Sequence, residues 1–404
     1  MASVKSGDVI INSCTMASSR GSTDFTNDII KSVVYESIYT PNCIAEITVL
    51  DTQDVLGNLV ISGDETVIYS FNAPGAPVAT YTMGLDKIVI EPYDGSEKSK
   101  LYTLHCVGKE TFNSMSTYVQ KSYNTDIASI VQDIHNTFLQ STSNLITEAT
   151  QGIQKIIIPN LKPFEAIDMI RRRATSLTNQ SSTFLYFENF LGHNFKTIEG
   201  MMQQSTVKDF IHSDALGSSI FFNNYNQIIN YQVPQLMAST QRIDLGTMVQ
   251  RTAQYDTRTR SYTTTDQQIN PGVFANPGSW NSSLFKEVYG QGFNVFSFLP
   301  FDSHTRPDTG LPASSPLQLA YIGNLMQSTI TLEVYGDATV KAGDLISAAI
   351  PESVDSTGIR NNDPMISGNY LVANIARHIG RINESPRYTE TIEGINGAPP
   401  TSPS

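Results

Sequence analysis

Two stretches of this chain share one construction. Val340–Ile350 reads VKAGDLISAAI and Leu59–Phe71 reads LVISGDETVIYSF. In each, a Gly-Asp pair supplies a turn and feeds an alternating run rich in β-branched and aromatic residues, the pattern of a strand entered from a tight turn. Two later runs, Ser367–Ile379 (SGNYLVANIARHI) and Arg387–Ile392 (RYTETI), read as strands able to pair back on the first of these stretches. Setting Ile47–Phe71 beside Ile330–Ile350 extends the match. Both pass from an Ile-Thr-apolar strand through a polar link to the Gly-Asp turn and a second strand. An ordered set of this kind points to a duplicated β architecture; the alternative is two unrelated β-meanders.

The remaining elements follow from periodicity. Behind a Ser/Thr-rich opening that runs to about Asp28, Ile29–Tyr39 and Ile44–Asp51 are predicted strands joined as a hairpin at Thr40-Pro41-Asn42. Thr52–Asn58 is a polar link. Thr66–Phe71, Lys87–Glu91 and Lys100–Val107 add further strands, so this part reads as a small antiparallel barrel or sandwich.

From Asn124 the period becomes helical, with Ile127, Ile130, Val131, Ile134 and Phe138 on one face behind a cap at Asn124 or Thr125. A second helix is predicted from Pro163, burying Phe164, Ile167, Ile170, Ala174 and Leu177 while Arg171–Arg173 crosses to the other face. Phe184–Glu188 and Phe195–Ile198 flank Gly192-His193-Asn194, which reads as a hairpin turn. Ser219–Val233 reads as a strand or a helix, and its aromatic and isoleucine content favours the strand. Between Ala238 and about Pro316 the sequence is polar, and Asn270-Pro271-Gly272 and Asn276-Pro277-Gly278 predict loops and short strands. Ser315-Pro316 opens a predicted helix over Leu317–Gln327 that buries Leu317, Ile322, Leu325 and Met326. Thr329–Tyr335 is then a strand, Gly336-Asp337 a turn, and Ala398–Ser404 a Pro/Ser-rich tail.

Composition excludes several classes. With 404 residues, 40% of them hydrophobic and 16% charged, the chain can bury a substantial core. Its 38 acidic against 26 basic residues leave a net charge of −12, which argues against general attraction to nucleic-acid phosphate. Cys14, Cys43 and Cys106 show no C-x-x-C spacing and predict neither a disulfide framework nor a zinc site, so folding in a reducing cytoplasm is expected. No signal peptide is recognised, and no apolar run approaches the roughly eighteen residues that would suggest membrane insertion.

Catalytic, cofactor and metal motifs are not found. There is no His-Glu-x-x-His, no phosphate-binding loop and no G-x-S-x-G, and Gly290-Gln291-Gly292 is half of a dinucleotide fingerprint outside a strand–helix context. His105, His135, His193, His212, His304 and His378 are scattered, so each reads as a surface or core residue rather than a ligand. Asp51 with Asp54 and Glu188 with Glu199 could serve as hydrolytic pairs, although such pairs are common among 38 acids. Arg171–Arg173 reads as a solvated helix face, or else as a subunit or domain salt-bridge patch. The aromatic stretches FLYFENF and IFFNNY suit core or interface packing better than sugar platforms.

In the order of these elements, and in GDLISAAI, SGNYLVANIARHI and RYTETIEG, the chain resembles the baseplate hub proteins of contractile-tailed bacteriophages and the hub part of type VI secretion spikes. The resemblance is strongest over about 29–107 and 317–395. It implies an α+β, mainly β fold with two tail-tube-like antiparallel β-barrels in one chain, a helix-containing α+β domain and a β-rich insertion. The corresponding segments are 1–112 for the first barrel, 113–205 for the α+β domain, 206–240 with 317–395 for the second barrel, 241–316 for the insertion and 396–404 for a flexible tail. The implied function is structural and non-enzymatic. A homotrimer would adapt a six-fold tail tube to a three-fold central spike and conduct DNA as passing cargo. The implied partners are a second and third copy, the spike, the tube protein or its initiator ring, and neighbouring baseplate wedge proteins. The implied location is the virion, after assembly in the host cytoplasm. The competing readings are a tail-associated cell-wall or glycan hydrolase with β-rich binding domains, and a repeated tube or adhesin subunit.

Overall fold

The computed structural model describes residues 6–52, 61–91, 99–179, 181–212, 225–235, 249–256, 260–268, 294–299, 328–352, 362–363, 365–382 and 385–396. The first part holds seven strands: β1 (Ile10–Ser18), β2 (Gly21–Asp24), β3 (Ile29–Ser37), β4 (Ile44–Asp51), β5 (Thr66–Asn72), β6 (Ala79–Glu91) and β7 (Lys100–Gly108). The Ser/Thr-rich opening therefore contains two strands that its polarity concealed. In β1, Cys14 and Met16 point inward at period two while Ser13, Thr15 and Ala17 beside them stay partly or fully exposed, which is what a one-sided strand requires. β6 likewise begins eight residues earlier than predicted, because Tyr81, Met83 and Leu85 alternate inward before a bulge between Leu85 and Lys87 shifts the register.

The middle part contains α1 (Glu110–Ser116), β8 (Val119–Thr125), α2 (Ile127–Asp133), β9 (Leu145–Thr147), β10 (Gln154–Leu161), α3 (Pro163–Arg171), β11 (Phe184–Asn189), β12 (Gly192–Thr197) and α4 (Ile198–Met202). The cap of α2 is Asp126, whose carboxylate accepts the Ser129 N–H at 2.9 Å, and not Asn124 or Thr125, which belong to β8. Beyond α2 the helix widens over Ile134–Phe138, and the Leu139 N–H reaches back five residues to Ile134 O. The α3 face ends earlier than its periodicity predicts. Ala174 is buried outside the helix and Leu177 is 62% exposed, because Ser176 N–H closes a loop onto Ser181 O at 2.7 Å. The β11–β12 turn is Phe190-Leu191. His193 and Asn194 are strand residues paired with Glu188 and Phe187, while Gly192, at φ +124°, passes too close to Asn144 O to carry a side chain.

The last part consists of β13 (Lys208–His212), β14 (Gln227–Gln235), β15 (Val249–Asp256), β16 (Ser261–Gln268), β17 (Asn294–Leu299), β18 (Ser328–Tyr335), β19 (Leu345–Ala349), β20 (Gly368–Ile382) and β21 (Ser385–Asn396). The polar segment predicted as loops and short strands holds a small sheet, with β15 between β16 and β17. The Asn-Pro-Gly turns, the helix expected over 317–327 and the 398–404 tail lie outside the described residues.

The molecule is mainly β, and 13 strands form one continuous sheet. Six of them, β13, β14, β18, β21, β20 and β19, close on themselves through the β19–β20 ladder and make a barrel. β13 runs parallel to both of its neighbours. The other seven strands follow in the order β3-β4-β7-β6-β5-β1-β2, attached through β3 to β20. A bridge between Asp8 and Arg387, with the Tyr388 N–H donating to Gly7 O, brings the start of this set back to β21.

The long β20–β21 hairpin therefore serves both halves. Its base places Tyr370, Leu371, Val372, Ile375, Ile392 and Ile395 in the closed barrel, and its tip places Ile379 and Tyr388 in the core of the seven-strand set. A third apolar cluster joins α2, α3, β8, β10, β11 and β12.

Candidate functional site

Along β20 the inward positions Ile375, Arg377 and Ile379 alternate with half-buried ones, so the pleat alone aims Arg377 at the boundary between the two cores. The side chain is completely buried. Its Nε donates to Tyr81 Oη at 2.9 Å, Nη1 to Glu390 Oε1 and Tyr388 Oη, and Nη2 to Val340 O at 2.7 Å and Glu36 Oε1 at 3.4 Å. The Phe190 ring lies 5.3 Å from the guanidinium carbon. Glu36 comes from β3, Tyr81 from β6, Glu390 from β21, Val340 from the β18–β19 loop and Phe190 from the β11–β12 turn. One arginine thus joins both halves of the sheet and the helical part.

The loop between β18 and β19 threads through this junction. Ala338 N–H donates to Glu390 Oε1 at 3.2 Å and Ala342 N–H to Glu36 Oε2 at 3.0 Å, while Ala342 O accepts from Asn189 Nδ2. Gly343 lies at φ +89°, with its N–H on Val372 O and with Phe187 so near that a Cβ would stand 2.7 Å from Cζ. Burial pushes the Glu390 carboxyl upward against the opposing pull of Arg377, and pushes Tyr81 and Tyr388 well up, which keeps both phenols protonated donors. A buried network with one guanidinium, two carboxylates and directed hydroxyls fixes a relative orientation; it leaves no open face at which a substrate could react.

Apolar side chains are exposed on the outer wall of the seven-strand set. Tyr35 and Ile44 are cross-strand partners, 41% and 42% exposed, and Ile90 on β6 is 68% exposed. β2 ends the sheet order with one edge unpaired among the described strands.

The residues singled out in the sequence fall in separate places. His105 lies 3.4 Å from Glu46 on the outer wall, His212 packs edge-on to Tyr231, and His378 is half-buried between Val33 and Thr389 of the neighbouring strands. His135 and His193 are buried with ring centroids 5.0 Å apart, a proximity that their separation in sequence hid. Glu188 accepts from Cys43 N–H, whereas Glu199 accepts from Ser181 and Thr183 hydroxyls in a different network. The supposed hydrolytic pair is therefore divided. Asp51 is buried at the end of β4, while Asp54, His304 and the Gly290–Gly292 run lie outside the described residues.

Arg171 and Arg172 both pair with Asp168 at 2.6 Å, and Arg171 also donates to Phe184 O. FLYFENF is β11 and its turn, packed into the core; of IFFNNY, Tyr225 alone is described. The three cysteines are buried thiols, and burial raises that of Cys106 to about 12. Among the described residues no helix is long and apolar enough to cross a membrane. What sequence reasoning missed is the Arg377 cluster, whose signal is a charged residue at an inward position of a strand.

No family model matches this sequence, and no curated protein matches it either. Solved structures do. The tail protein from Neisseria meningitidis MC58 superposes with a TM-score of 0.57 at 9% identity, covering 95% of this chain and 96% of that one. The 43 kDa tail protein of prophage MuSo2 from Shewanella oneidensis gives a TM-score of 0.55 at 9% identity, covering 96% and 98%. The chain has the fold of these tail proteins over nearly its whole length.

Proposed function

We propose that this chain is a structural protein of a contractile phage tail, the central hub of the baseplate, and that it works as a homotrimer. The observation that supports this best is the pairing of two β-sheet bodies on one shared hairpin, locked by Arg377, in a chain whose fold is that of tail proteins. Segments 1–112 and 206–240 with 317–395 supply two tube-like barrels, 113–205 the helical domain, 241–316 an insertion and 396–404 a tail. Three such chains present six barrels, which match a six-subunit tube or its initiator ring on one side and a three-fold spike on the other. Wedge proteins pack around the outside.

Affinity comes from ladder hydrogen bonds at sheet edges and from apolar residues such as Tyr35, Ile44 and Ile90, not from a pocket. The net charge of −12 per chain suits a conduit through which DNA passes without sticking. The hub resides in the virion baseplate and assembles in the host cytoplasm. Light scattering on the purified chain, alone and with its spike, tests the reading. It should give three times the 44.4 kDa chain mass in the complex at least; a monomer in both samples contradicts it.

A further inference from the structure

Where α1 meets the β11–β12 hairpin, three side chains that the sequence does not associate come together. A carboxylate oxygen of Glu110, one of Glu188 and one imidazole nitrogen of His193 all lie within 4.8 Å of one another. They come from the first residue of α1, from β11 and from the strand β12 that pairs with it. Glu110 is 7% exposed and His193 fully buried, and no ion pair among the described residues involves either glutamate.

Each carboxylate uses one oxygen. Glu110 Oε1 accepts from the Ser141 hydroxyl and Glu188 Oε2 from the Cys43 N–H at 2.8 Å. Oε2 of Glu110 and Oε1 of Glu188 have no hydrogen-bond partner among the described residues, and both glutamates line a cavity of about 280 Å³ that is bounded also by Ser143, Asn144, Asn189 and Gly192. Two convergent carboxyl groups lie beside a buried imidazole, and among the described residues no cation of the protein's own pairs with either.

We propose that Glu110, Glu188 and His193 form a binding site for a divalent transition metal ion of the zinc type, which ties α1 to the β11–β12 hairpin. The donor set, one imidazole and two carboxylates with a further position open to the cavity, is one that zinc accepts. Tetrahedral ligation needs donor atoms roughly 3.3 Å apart, so the three side chains close by about an ångström or more onto the ion. His193 is already oriented for this. Its Nε2 lies 3.2 Å from Asn42 Oδ1, an acceptor that holds the Nε2–H, and its Nδ1 lies 2.7 Å from Ser143 Oγ, a hydroxyl that can turn away and release the lone pair. Asn42 in turn donates to Gly108 O and Thr111 Oγ1, so the Nε2 side of the imidazole is held through the β3–β4 turn against the start of α1.

Zinc chloride titrated into the full chain, stripped with a chelator and followed by calorimetry near neutral pH, should show one equivalent with a dissociation constant in the micromolar range. Glu110→Gln and Glu188→Gln should each weaken binding at least tenfold, and His105→Asn, which removes the rival pair with Glu46 on the outer wall, should leave it unchanged. X-ray absorption of the zinc-loaded, unmutated protein gives an answer that does not depend on the variants folding. It should show one imidazole with oxygen donors otherwise. No binding, several weak equivalents only, full binding in both Gln variants, or a shell with sulfur or two imidazoles overturns the proposal.

Discussion

At the scale of residues the molecule depends on Arg377. Replacing it with Met leaves Glu36 and Glu390 buried without their cation, and should cost about 3–5 kcal/mol in urea unfolding. Arg377→Lys should recover little, because an ammonium cannot reproduce the guanidinium's directed bonds to Tyr81, Val340 and Glu390 together. A loss below about 1 kcal/mol would show that the junction does not rest on this side chain. Glu199 gives a pH test. Its Oε1 has no partner among the described residues, and burial raises its carboxyl above the ordinary 4.5, so the folded state keeps a proton that the unfolded chain has released. Stability is then greatest below that ordinary value and falls as pH rises toward the folded one. Melting temperatures between about pH 4 and about pH 8 should decline less in Glu199→Gln than in the unmutated protein; equal slopes would contradict the assignment. None of these partnerships was legible in the sequence, where Arg377 is one letter of ARHI and its partners lie in five other segments.

At the scale of elements, the two Gly-Asp turns look alike in sequence and differ in what surrounds them. Gly63, at φ +91°, has no described residue within 4 Å of where a Cβ would stand, whereas a Cβ on Gly343 would meet Phe187 and the Met201 sulfur. Gly63→Ala should therefore cost only the left-handed backbone penalty, about 1–2 kcal/mol. Gly343→Ala should cost more by chemical denaturation, and equal losses would mean that the second turn is not wedged. The strands were legible wherever one face is apolar at period two, as in β4, β7, β18 and β21. Where small or polar residues fill the pleat, as in β1, or where a bulge breaks the alternation, as in β6, the pattern was blurred. Helix ends were misplaced where local hydrogen bonds from Asp126 and Ser176 prevailed over the apolar period. The Glu110, Glu188 and His193 cluster carries no spacing signal at all, because the tertiary fold assembles it.

At the scale of the whole molecule, the shared β20–β21 hairpin makes the two halves one body, so their relative orientation is built into each chain and not left to a linker. A body of that kind can present two fixed surfaces per subunit, which is what a passage from three-fold to six-fold symmetry needs. The proposed structural role predicts a blank peptidoglycan zymogram, and a cleared zone abolished by a single carboxylate substitution would reverse the reading. The most direct test is an electron-microscopy reconstruction of the purified assembly with its spike. The account predicts a three-fold ring of three chains with six barrels around a central lumen. A ring of six chains, or a lone chain beside the spike, would contradict it.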